Sequence, residues 1–117
     1  ITIFMLGAML SALICLGQSD MKKLIAYSSV SHMGLVFSGL FSLSLEGMAG
    51  GLMVMIGHGF TSSGLFTVAY MIQNRSSSRE LILSKGVVSL MPMLSLCFFL
   101  LTLLNMSAPP SLGLSGE

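Results

Sequence analysis

The chain has 117 residues, of which 54% are hydrophobic and only 8% are charged, with a formal net charge of +1. Soluble domains carry about 25% charged residues, so this chain has too few charges to cover a water-exposed surface. The charge is not gathered into a basic stripe, which gives no indication of nucleic-acid binding. We therefore expect a membrane protein whose first partner is the lipid bilayer.

Four apolar segments predict an all-α, polytopic membrane helix bundle of about four transmembrane helices. Crossing a bilayer takes about 20 apolar residues, and helix is expected because an unpaired backbone cannot face lipid. The predicted helices lie at about 1–17, 23–45, 47–73 and 87–106, followed by a broken segment at 107–117.

The first apolar segment lacks a basic region before it and is followed by further apolar segments. We therefore expect no cleavable signal peptide and interpret the chain as an internal fragment of a longer polytopic protein. Cys15 and Cys97 are far apart in sequence and lie in apolar segments, without metal-binding spacing. We expect them to be packing residues.

The loops predict the orientation of the helices. After four successive crossings, loops 18–23 and 73–86 share one side of the membrane, and Glu46 marks the other side. The five basic residues all belong to the first side: Lys22, Lys23, Arg75, Arg79 and Lys85. The positive-inside rule therefore predicts that these loops lie in the cytoplasm or its equivalent, the mitochondrial matrix.

Two histidines fall near the middle of the predicted bilayer. His32 lies about 13 Å into the second helix, and His58 lies about 18 Å from Glu46, at 1.5 Å per residue. Because the two helices are joined by a very short turn, we expect antiparallel neighbours with the histidines at similar depths. Burial of an ionisable group in lipid is costly, and imidazole both accepts and donates protons, so the two histidines are candidates for a proton path.

Hydroxyl side chains accompany both histidines. Ser28 and Ser31 precede His32 on one helix, and Thr61 and Ser62 follow His58 on the next. They predict a polar seam through the bundle, but hydroxyls that bond across helices or to their own backbone carbonyls would serve packing alone. For the hydroxyls alone, packing is the simpler interpretation.

Gly47 and Gly51 form a small-xxx-small pair that predicts close approach of two helices.

The end of the chain combines a helix break with an acid. Pro109 and Pro110 remove two backbone donors and predict a break or a kink, which membrane proteins tolerate beside a cavity or a protein interior. Glu117 follows the break. It is either a third group of the proton path or an ordinary surface carboxylate. Lys22 is a weaker candidate for the proton path, because a lysine at a helix end also serves as a topology anchor.

Three runs of sequence resemble one family. They are residues 18–34 (QSDMKKLIAYSSVSHMG), 57–66 (GHGFTSSGLF) and 105–110 (NMSAPP) with Gly116 and Glu117. These runs are similar to the antiporter-like membrane subunits of respiratory complex I, which are related to Mrp-type cation/proton antiporter subunits. The resemblance covers essentially the whole chain, although the family commonly has Asn at Gly113 and Leu at Ala108.

The resemblance implies a proton-translocating role in NADH:ubiquinone oxidoreductase of the mitochondrial inner membrane, and 1–117 would be part of one antiporter-like transmembrane domain. Positions matching His32, His58 and Glu117 belong to the family's central polar axis. The implied partners are other membrane-arm subunits. The resemblance implies no cofactor, metal or catalytic residue in this chain, whereas NAD, FMN, iron–sulfur clusters and ubiquinone are expected in other subunits. Two alternatives remain: a subunit of a sodium/proton antiporter, or a structural membrane scaffold.

Overall fold

The protein is helical throughout the residues that the computed structural model describes, which are 1–77, 80, 86–107 and 115–116. Within these ranges there is no strand, and a single antiparallel bridge pairs Asp20 with Glu80. The helices are α1 (Thr2–Leu16), α2 (Met21–Phe41), α3 (Leu45–Ser76), α4 (Val87–Leu90) and α5 (Pro92–Asn105). The prediction of an all-α membrane bundle is confirmed.

The turn between α2 and α3 lies earlier than the sequence predicts. We expected the second helix to reach residue 45, but α2 ends at Phe41. Leu43 adopts a left-handed backbone conformation with φ 53°, which a continuous helix does not allow. The Ser44 hydroxyl accepts a hydrogen bond of 3.1 Å from the backbone N–H of Gly47, and this capping bond starts α3 two residues before the predicted position.

The fourth predicted helix is interrupted. Residues 87–106 were expected to form one helix, but α4 ends at Leu90 and α5 begins at Pro92. Proline disfavours helical backbone in the residue before it, and Met91 accordingly has φ −141° and ψ 76°. Pro92 then occupies the first turn of α5, where its missing N–H costs nothing. The second predicted break, at Pro109 and Pro110, lies outside the described residues.

Two of the helices are long and apolar enough to cross a bilayer, α2 with 21 residues and α3 with 32. At 1.5 Å per residue α3 is about 48 Å long, well beyond the hydrocarbon thickness of about 30 Å. Its excess carries the polar residues Gln73, Asn74 and Arg75 at the basic end. Helices α1 and α5 are shorter apolar helices.

The helices pack in series, α1 on α2, α2 on α3 and α3 on α5. The main buried cluster lies at the basic end, where α2, α3 and α5 meet, and comprises Met21, Ile25, Leu65, Val68, Ala69 and Ile72. At the opposite end α2 and α3 approach closely through glycines. A Cβ on Gly51 would lie 3.4 Å from the Val36 carbonyl oxygen, and one on Gly47 would lie 2.6 Å from that of Gly39. The close approach predicted from Gly47 and Gly51 is confirmed.

Candidate functional site

The α2–α3 hairpin brings His32 and His58 together. Their ring centroids are 5.1 Å apart, with the ring planes inclined by 34°. The two residues come from antiparallel helices and lie between the glycine contacts at one end and the buried apolar cluster at the other. The expectation that the two helices are neighbours is confirmed, and the histidines lie at the same level along the hairpin. We call these two side chains the imidazole pair.

The imidazole pair is largely withdrawn from solvent. His58 is only 7% exposed and His32 is partly buried. Two positive charges about 5 Å apart repel each other by about 3 kcal/mol at an effective dielectric constant of about 20. The geometry suits alternating occupation of the two rings.

Asn105, the last residue of α5, completes the surroundings of the pair. Its side-chain amide interacts with the His58 imidazole. However, Nε2 of His58 and Oδ1 of Asn105 are both buried without a hydrogen bond of good geometry to any described residue. Buried polar atoms in proteins nearly always have a partner, so two such atoms on interacting side chains are unusual. The two atoms mark a polar point between α3 and α5 in the described helix interior.

Asn105 was missed as a site residue, although it belongs to one of the family-like runs. The signal was present in the sequence, because an amide that ends the apolar helix Pro92–Asn105 requires a polar partner when buried. What the sequence did not show is which face of α5 meets α3. That placement depends on the packing of α5 against the cluster around Leu65.

The hydroxyls of the predicted seam donate to backbone carbonyls of their own helices. Ser28 donates to Ile25 at 2.7 Å and Ser31 donates to Ser28 at 2.8 Å. On α3, Thr61 donates to the carbonyl of His58 itself at 3.2 Å, and Ser62 donates to Gly59 at 3.3 Å. These bonds use the hydroxyl protons locally and leave oxygen lone pairs as acceptors. Their part in proton transfer remains a prediction.

Lys22 does not contact the imidazole pair. It lies in the first turn of α2, about 15 Å along the helix axis from His32. Its Nζ lies 5.4 Å from the centre of the Tyr70 ring, an arrangement that favours a cation–π interaction. The neighbouring Lys23 forms an ion pair of 3.6 Å with Asp20. The Lys22–Tyr70 contact joins α2 to α3 at the basic end of the hairpin, and a role of Lys22 in proton entry remains a prediction.

The predicted third group of the path, Glu117, lies outside the described residues. Ser115 and Gly116, just before it, are described and lie on α3 near the glycine contacts. The Ser115 hydroxyl is 3.5 Å from the Met53 sulfur, and a Cβ on Gly50 would lie 2.7 Å from the Gly116 carbonyl oxygen. Residue 116 therefore packs against Gly50 and Val54, about one to two helical turns from His58 on the side of the α2–α3 turn.

The described ranges contain no group of three or more His, Cys, Asp or Glu residues that could hold a metal ion. Cys15 and Cys97 are free thiols, and the Cys15 sulfur lies 3.7 Å from the Leu24 carbonyl oxygen.

The fold and the site together define a polytopic helical membrane protein with a buried imidazole pair between two antiparallel helices. Comparison with known families then gives the membership. The chain belongs to the NADH:quinone oxidoreductase/Mrp antiporter transmembrane family, whose family model matches residues 1–117.

Several curated relatives carry one name, NADH-ubiquinone oxidoreductase chain 4. The protein of that name from Ceratitis capitata is 50% identical over all 117 residues, and that from Aedes aegypti is 51% identical over the same length. The one from Anopheles arabiensis is 50% identical over 113 residues, which are 97% of this chain and 51% of the relative. The chain spans 26% of the length of the first two relatives.

Proposed function

We propose that the chain is part of a proton-translocating membrane-arm subunit of NADH:ubiquinone oxidoreductase. The subunit carries no redox centre, and its partners are other membrane-arm subunits. NAD, FMN, iron–sulfur clusters and ubiquinone belong to other subunits. The observation that carries the proposal is the imidazole pair, because two titratable rings held 5.1 Å apart inside an apolar bundle serve no evident packing purpose. The names of the relatives support the same assignment.

In the proposed mechanism a proton alternates between His32 and His58. Each neutral imidazole has one nitrogen that accepts and one that donates, so a ring can take a proton at one nitrogen and release another from the opposite nitrogen. The amide of Asn105 positions the His58 ring, and Glu117 continues the path beyond the described residues. The driving force comes from NADH oxidation in other subunits.

The proposed location is the mitochondrial inner membrane, with loops 18–23 and 73–86 on the matrix side. Arg75, in the last turn of α3, and the Lys22–Tyr70 contact support this orientation, because they gather basic side chains at one end of the hairpin. The Glu46 end then faces the intermembrane space.

Isotope-edited infrared spectroscopy of the histidines in the intact complex tests this proposal. We expect at least one imidazole to change its protonation state during NADH oxidation, and we expect that change to be lost when His32 and His58 are replaced together. Histidine bands that stay silent during turnover and over a range of pH would instead support the structural scaffold. Activity that requires sodium ions would support the sodium/proton antiporter.

Replacement of Asn105 with leucine should slow proton pumping about tenfold, which corresponds to about 1.4 kcal/mol. Leucine removes the polar neighbour of the buried His58 ring, and the loss of one polar interaction costs about 0.5–1.5 kcal/mol. The measurement is the pumping rate of the reconstituted complex. The matched control is Asn74→Leu, because Asn74 is exposed near the end of α3. Equal effects of the two substitutions would contradict the role of Asn105.

A further inference from the structure

An open cavity of about 450 Å³ lies beside the α2–α3 hairpin at its Glu46 end. Its polar lining consists of Ser38, Ser44 and Glu46, and the glycines Gly47 and Gly50 leave its wall without side chains. Gly116 closes one side. Because this end carries a carboxylate and two hydroxyls, the cavity suits water. We call it the vestibule.

Two valines form the inner end of the vestibule. Val36 and Val54 line it and are 2% and 7% exposed. Val36 is one helical turn from His32, and Val54 is one turn from His58. Neither histidine lines the vestibule. One layer of apolar side chains, about 6 Å along the helix axis, therefore separates the vestibule from the imidazole pair.

The direct route between α2 and α3 is closed by backbone. At Gly51 the helices are so close that an added Cβ would lie 3.4 Å from the Val36 carbonyl oxygen, and at Gly39 it would lie 3.2 Å from that of Gly47. No file of water fits between helices in such contact. Between α2 and α3, a route from the Glu46 end to the imidazole pair therefore runs through the vestibule and past the two valines. A separate cavity that His32 does line, of about 330 Å³ against α1, has a mainly apolar lining and does not suit water.

We propose that Val36 and Val54 form a hydrophobic gate that keeps vestibule water from the imidazole pair. The inference rests on the proposed function, since a gate matters only if the pair carries protons. Apolar constrictions in membrane proteins close by excluding water, and they open when water enters. A pumping site must not be connected to both sides of the membrane at once, so the closed layer prevents protons from returning through the pair.

The vestibule itself is tested by labelling in the assembled complex. We expect a cysteine at Ser38 to react with a membrane-impermeant maleimide applied from the Glu46 side. A cysteine at Thr61, one turn beyond His58, should not react from that side. If the Ser38→Cys variant does not react, water does not fill the vestibule and the proposal is wrong.

The gate is tested by the proton leak of the reconstituted complex when turnover is inhibited. We expect Val36→Thr, which keeps the volume and adds a hydroxyl, to raise the leak about tenfold, equivalent to a barrier lowered by about 1.4 kcal/mol. Val54→Ala should act in the same direction. The control is Val68→Ala, because Val68 is a buried valine of α3 in the cluster at the basic end. A leak no greater than that of Val68→Ala would overturn the gate.

A combined variant separates this proposal from the proposed function. In the double variant Val36→Thr/His58→Leu, we expect the proton leak to fall to the level of the unsubstituted complex. The path opened at Val36 would then end at a leucine, which cannot take a proton. A leak that persists would show that protons pass the valines without using the imidazole pair. In that case the proposed role of the pair fails, although the valines still close the path.

Discussion

Replacement of His58 with leucine in the full subunit should abolish most proton pumping while the complex still assembles. Leucine is apolar and cannot carry a proton, so the path between His32 and the rest of the axis is cut. A buried leucine also avoids the cost of placing an imidazole in an apolar site, and we therefore expect little loss of stability. The measurement is the proton-to-electron ratio of the reconstituted complex, together with the amount of complex assembled.

Two further variants make this experiment specific. His58→Gln keeps hydrogen-bonding groups at the site but cannot titrate near neutral pH, so it should fail like leucine if proton transfer is required. Phe60→Leu is the control on the same helix, because Phe60 is 76% exposed and outside the site. An unchanged proton-to-electron ratio and activity in His58→Leu would refute the proton path. Pumping retained in His58→Gln alone would indicate a structural hydrogen bond instead.

The imidazole pair was predictable because helix geometry is regular. A rise of 1.5 Å per residue and a short turn place His32 and His58 at similar depths before any packing is known. The separation of 5.1 Å between the two rings could not be predicted in this way, because it depends on which faces of α2 and α3 meet. That choice is set by Gly51 and Gly47, whose missing side chains let the helices touch on this face.

Other features depended on contacts that no local pattern shows. Asn105 reaches the site only because α5 packs on α3 at the basic-end cluster. Val36 and Val54 look like ordinary apolar helix residues in the sequence, and their position at the end of the vestibule follows from the crossing of the two helices. The interruption before Pro92 was readable from proline chemistry but was missed, because the surrounding run looked uniformly apolar.

The stability of the hairpin that carries the imidazole pair depends on small residues at its turn. Replacement of Gly47 with alanine should destabilise the protein by about 2–3 kcal/mol, the usual range for overpacking together with loss of a helix cap. The added methyl group would lie 2.6 Å from the Gly39 carbonyl oxygen and 2.8 Å from the Ser44 hydroxyl. That hydroxyl caps α3 through the N–H of Gly47.

Gly59 provides the matched control on the same helix, because a Cβ there would meet no described atom within 4 Å. Alanine is a better helix former than glycine by up to about 1 kcal/mol, so Gly59→Ala should be neutral or slightly stabilising. The measurements are the thermal stability and the amount of assembled complex for each variant. Equal losses would mean that glycine is needed for helix flexibility in general. A loss confined to Gly47→Ala would mean that the pair is held by close contact at the turn, about three helical turns from the chemistry it supports.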